Sequence, residues 1–151
     1  GPRVSIALSL HASQNLLRSQ LMPINKTYPL SEVISFLNKE FPKSAKKEVL
    51  IQYIVIAQVN DSLDDAVKLA ELLQNVNAKV NLIPFNSFEN SQFKSPAPTR
   101  LNAFSKVLLK AKVRTMIRFS KGQDIDAACG QLVIKKTNLA YEKNSLKAPT
   151  A

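Results

Sequence analysis

A chain of 151 residues with 45% hydrophobic content has enough apolar material for one sizeable core. Its 21 Lys and Arg against 11 Asp and Glu give a formal charge of +10, which favours an anionic partner, nucleic acid above all, although a solvated basic surface has the same composition. No apolar run reaches the roughly 18 residues that cross a bilayer, and the first residues lack the basic-then-apolar layout of a secretory signal, so the chain reads as cytoplasmic. One Cys and one His exclude an internal disulfide and an all-Cys/His metal site, since such a site takes about four ligands.

In chain order, Val4 to Leu10 is the first predicted strand, apolar and β-branched. Leu30, Val33, Ile34, Leu37 and Phe41 then repeat at helical spacing. Val49 to Ala57 is the second strand, and its near-continuous apolar run predicts cover on both faces. Asn60 and Asp61 supply a turn, Ser62 and Asp65 have capping-box spacing, and Leu63, Ala66, Val67, Ala70 and Leu73 form the next helical stripe. Lys79 to Phe85 is the third strand. Asn86 to Thr99, with Pro96 and Pro98, is a polar connection of the kind used for lids and binding loops. Leu101, Phe104, Leu108 and Ala111 mark a third helix, and Val113 to Phe119 a fourth strand.

Strands alternating with helices predict an α/β fold with parallel strands and right-handed crossovers. Four strands do not close a barrel, which takes eight, so the pattern fits either a small open sheet or, the favoured reading, one portion of a larger layered domain. The expected domain spans residues 1–134, and residues 135–151, with Lys135, Lys136 and Lys143, form a basic, poorly ordered tail.

In parallel α/β folds ligands bind beyond the carboxyl ends of the strands. Those positions hold Ser9-Leu10-His11, Asn60-Asp61, Pro84-Phe85-Asn86, and Lys121-Gly122 followed by Asp124 to Gly130 with Cys129. His11 reads first as a satisfied hydrogen-bonding residue rather than a catalyst, and Cys129 as a small buried hydrophobe. Gly122 and Gly130, two of only three glycines, instead mark a conformationally special loop around the thiol. Arg118 and Lys121 favour the thiolate there while Asp124 and Asp126 oppose it. No glycine-rich phosphate loop or Ser/His/Asp set occurs, and Asp61, Asp64 and Asp65 read as solvating a helix start.

Taken together, Ser9-Leu10-His11-Ala12, Leu21-Met22-Pro23-Ile24-Asn25, Val59-Asn60-Asp61, Val80 to Asn86 and Asp124-Ile125-Asp126-Ala127-Ala128-Cys129-Gly130-Gln131-Leu132 resemble, in order and spacing, the second half of the radical S-adenosylmethionine (SAM) adenine-C2 methyltransferases of large-subunit (23S) rRNA, from about Val4 to Leu132. The resemblance implies a partial (β/α) barrel whose amino-terminal portion carries a Cys-x3-Cys-x2-Cys loop holding a 4Fe-4S cluster that cleaves SAM. It implies that Cys129 carries the methyl group, that Ser9, Leu10, His11 and Asn86 contact SAM, and that the partners are 23S rRNA, tRNA and the remainder of the same enzyme. Ile83-Pro84-Phe85-Asn86 resembles the C2 group more than the related adenine-C8 enzymes. The departures are the absent cluster motif and the absent second cysteine, because Cys129 is the sole thiol; Gln52 and Gln123 also replace acidic residues usual in the family. This chain alone is therefore expected to be inactive, and a non-catalytic half-barrel that binds RNA or serves as a scaffold is the alternative.

Overall fold

The structure, a computed structural model, describes residues 6–87 and 91–119. The elements are β1 (Ile6–Ser9), α1 (Asn15–Leu21), a 3-10 turn (Pro23–Lys26), α2 (Leu30–Glu40), β2 (Val49–Val55), α3 (Leu63–Leu72), β3 (Ala78–Pro84), α4 (Pro98–Lys110) and β4 (Arg114–Ile117). The four strands pair in parallel in the order β1-β2-β3-β4. The α/β alternation predicted from the sequence is therefore the architecture observed. The expected tail over 135–151 lies outside the described residues, as does the Cys129 loop.

Strand order follows chain order, and the crossover helices share one face of the sheet. Leu30 and Leu37 of α2, Ala66, Leu69 and Ala70 of α3, and Leu101, Phe104 and Leu108 of α4 join Val49, Ile51, Tyr53, Val55, Val80 and Leu82 in one buried cluster. A sheet wound in one direction with its crossover helices on one side is the arrangement of a barrel wall rather than of a doubly wound sheet. Alternation along each strand turns Ser9, Gln52, Ile54, Asn81 and Ile83 to the opposite face. There a second cluster gathers Ile54 and Ile83 with Ala12, Leu17, Leu21, Met22, Ile56, Val59, Phe85 and Phe93. Two-sided cover is thus why β2 is apolar almost throughout.

The elements differ from expectation mainly at their ends. β1 stops at Ser9 because His11 adopts a left-handed backbone with φ 60°, a geometry no strand accommodates. β2 stops at Val55, since the Ala57 amide donates to Lys94 O across a loop rather than along the ladder. The polar connection closes at Ala97, two residues early, because Pro98 begins α4 in the first turn, where the missing amide proton costs nothing. α1 was not foreseen; it is seven residues long, lacks a side-chain cap and ends before Pro23, whose ring holds Met22 in extended backbone. The Ser62/Asp65 capping box forms as read. Asp61 and Asp65, however, are buried rather than solvating the helix start, and only Asp64 of the three is exposed.

Candidate functional site

The carboxyl ends of β1 and β2 are fastened by buried polar groups rather than by further ladder bonds. Leu10 N donates to Gln52 O at 2.9 Å, after which the chain turns at His11. The ring takes over the next position: Ile54 N donates to His11 Nδ1 at 3.0 Å. Asn60 then bridges the gap, its Nδ2 donating to His11 O at 2.9 Å and to Ile54 O at 2.6 Å while its Oδ1 accepts from Ile56 N at 2.8 Å. Tyr53 Oη donates to Asn60 O at 2.6 Å. Tyr53 and Asn60 are fully buried and His11 is 2% exposed, so each bond replaces water that cannot enter.

These surroundings set the protonation states. Burial, reinforced by the nearby Arg18 charge, lowers the His11 pKa from 6.5 to about 4, so the imidazole is neutral at pH 7 and its Nδ1 lone pair is available to Ile54. Burial, with Asp65 and Asp61 adding negative potential, pushes the Tyr53 phenol well above its ordinary range. Arg18 is itself buried, and that burial lowers its pKa. Its guanidinium donates to Leu10 O at 3.1 Å, Ser9 O at 3.0 Å and Asn25 Oδ1 at 2.8 Å. Asn25 in turn donates to Asn15 and Ser19, and Asn15 Oδ1 accepts from Leu30 N at 3.0 Å. One network thereby ties the end of β1 to α1 and the start of α2.

Of the four predicted cofactor contacts, Leu10 and His11 are buried as parts of this fastening, while Ser9 is half-buried and Asn86 is exposed. Ser9 and Arg18 line a cavity of about 460 Å³ at the open edge of β1, with Met22, Ile24, Val33 and Phe36 supplying apolar walls. A larger cavity of about 800 Å³ lies between α1 and the amino ends of α3 and α4, lined by Gln14, Asp61, Asp65 and Arg100; it holds none of the predicted contacts. Cys129 lies outside the described residues. Among the described residues no group of three or more His, Cys, Asp or Glu side chains converges, and one cysteine in the sequence does not match a three-thiolate cluster site. The donor set for SAM is a better fit, because Ser9 and Asn86 offer neutral hydrogen-bonding groups on the same rim of the sheet.

Sequence reasoning missed Arg18, the hub of the rim. Nothing marked it, because α1 was not expected and a lone arginine reads as surface. Asn25 stood within a quoted block without an assigned part, and Asn60 was read as a turn residue at a strand end, not as the bridge between β1 and β2.

No protein-family model matches the chain. Among curated proteins it is similar to the dual-specificity RNA methyltransferase RlmN of Nitratiruptor, 50% identical over 85% of this chain and 36% of that protein. The RlmN of Vesicomyosocius okutanii is 42% identical over 95% of this chain and 41% of its own length. The chain thus spans about two fifths of the curated relatives it matches. Among solved structures, a radical SAM methyltransferase from Sphaerobacter thermophilus superposes with TM-score 0.75 at 40% identity, covering 85% of this chain and 38% of that one. A domain of a pyruvate-formate lyase-activating enzyme from Bacteroides vulgatus shares the fold, with TM-score 0.58 at 14% identity over 76% of this chain and 66% of that one.

Proposed function

This chain belongs, along the segment it shares with them, to the family of the radical SAM RNA methyltransferases RlmN, and from that premise we propose that it is the carboxy-terminal part of an enzyme methylating adenine C2 in 23S rRNA and tRNA. The observation that carries the reading is identity of 41–50% over most of the chain, combined with a one-way-wound parallel sheet whose carboxyl rim is fastened by Arg18, His11 and Asn60. When bound, SAM supplies an electrophilic methyl group and, at an iron–sulfur cluster held by another part of the protein, a radical. The residues of this chain orient and exclude. Ser9 and Asn86 hold the cofactor through neutral polar groups, and Leu10 and His11 set the strand end from which Ser9 projects. Cys129 serves as the methyl carrier: its thiolate sulfur bonds the methyl carbon as the sulfonium departs as a thioether. Such a relay suits an aromatic ring carbon, which is too weak a nucleophile to attack the sulfonium itself.

The test is a chimera in which this chain replaces the matching segment of the Nitratiruptor relative, expressed in cells lacking adenine-C2 methylation. The expected outcome is C2-methyladenosine in 23S rRNA and tRNA, lost on Cys129→Ala. An inert chimera, or one indifferent to Cys129→Ala, contradicts the proposal.

A further inference from the structure

On the face of the sheet away from α2, α3 and α4, one tier of side chains runs across all four strands. Ser9, Gln52, Asn81 and Met116 are register partners, on neighbouring strands about 5 Å apart. Asn81 is 4% exposed, and its Oδ1 has no hydrogen-bond partner among the described residues. A buried amide oxygen left unpaired is unfavourable enough that native proteins seldom retain one without a use. Directly above, toward the carboxyl rim, stand Ile54 and Ile83, also register partners and both buried in the second apolar cluster. One step below are Lys79 and Arg114. Arg114 pairs with Glu48, and Lys79 is in no ion pair among the described residues.

Three features define what such a place would take. The tier contains no carboxylate, and Lys79 lies beneath it, so a cationic group would be poorly held. Isoleucines on one side favour a flat apolar ring. A carboxamide presents an acceptor and a donor side by side, the pattern complementary to an adenine edge, where the exocyclic amine donates and the adjacent ring nitrogen accepts.

We propose that Asn81 reads an adenine ring, its Oδ1 accepting from the exocyclic amine, with Ser9 and Gln52 completing a neutral polar floor. This inference rests on the reading of the chain as part of a SAM-dependent enzyme acting on RNA, in which adenine has two sources, the cofactor and the target nucleotide. The role is recognition, and Asn81 takes no part in bond making.

Equilibrium binding to the 151-residue chain tests it with two ligand pairs. The first is S-adenosylhomocysteine and its inosine counterpart, in which the amine becomes a carbonyl; the second is a short RNA bearing adenosine or inosine at one position. Wild type is expected to prefer adenine roughly tenfold in one pair, and the pair showing the preference identifies the source. Asn81→Leu should abolish that preference while leaving the melting temperature unchanged or raised, since it removes an unpaired buried group. Should N81L fail to fold, Asn81→Ser serves for the same comparison. An adenine preference that survives in either variant overturns the inference alone. A melting temperature that falls in N81L with the preference intact overturns it too, by showing that Asn81 is tied internally. Wild type that binds both members of each pair equally also overturns the inference alone. Wild type that binds none of the four ligands removes the cofactor reading of this face and the inference with it.

Discussion

The two faces of the sheet are made from the same strands and are used differently. Toward the helices, Ile51, Tyr53, Val80 and Leu82 are fully buried against the apolar stripes of α2, α3 and α4. Toward the other side, Ser9, Gln52 and Asn81 form a neutral polar row that ends at Met116, and above it Ile54 and Ile83 join the second apolar cluster. The first face holds the larger of the two apolar clusters and so contributes more to the fold, at about 25 cal/mol per Å² buried. Relieved of that task, the second can hold polar groups poised for a ligand. The buried polar rim of Arg18, His11 and Asn60 joins the two, fixing where the strands end.

Three substitutions or conditions sharpen this division. The largest effect is expected on the helix side. Phe104→Ala removes a fully buried ring packed 5.3 Å from Tyr53, and urea unfolding should show a loss of about 4 kcal/mol; a loss below about 1 kcal/mol would mean that this face does not carry the core.

The rim comes next. His11 is neutral in the folded chain down to about pH 4, whereas in the unfolded chain it takes up a proton near pH 6.5. Between those values the unfolded state binds more protons, so stability falls as pH is lowered through that window. Unfolding at pH 7 and pH 5 should differ by about 2 kcal/mol from this group. His11→Asn should flatten the dependence, because asparagine tolerates the left-handed backbone and its Oδ1 can accept from Ile54 N. An unchanged slope in H11N would place the acid sensitivity elsewhere.

The smallest effect is expected on the open face. Ser9→Ala should change unfolding free energy by less than about 0.5 kcal/mol while weakening S-adenosylhomocysteine binding. A large stability loss without a binding change would reverse the division between the faces.

The sequence made the division partly legible. Apolar, β-branched runs located the strands, and helical stripes located α2, α3 and α4, because those helices bury a whole face and must keep its spacing. α1 escaped because Leu16, Leu17 and Leu21 fill only two turns before Pro23. Arg18 escaped because its three acceptors are the Ser9 and Leu10 carbonyls and Asn25, none of which leaves a mark near it in sequence. His11 was read correctly as a hydrogen-bonding residue, but its partner is 43 positions away and its depth comes from tertiary packing. Asn81 shows the same limit. Its alternation with Val80 and Leu82 gives its face, while the unpaired state of its oxygen is a property of the assembled sheet.

In the proposed relay, Cys129 carries the methyl group before RNA receives it. Feeding methyl-labelled SAM to the chimera and mapping the label by peptide mass spectrometry tests this most directly. One labelled methyl group is expected on the peptide containing Cys129, absent from the Cys129→Ala protein. Labelled RNA from a protein whose Cys129 peptide never carries label would contradict it.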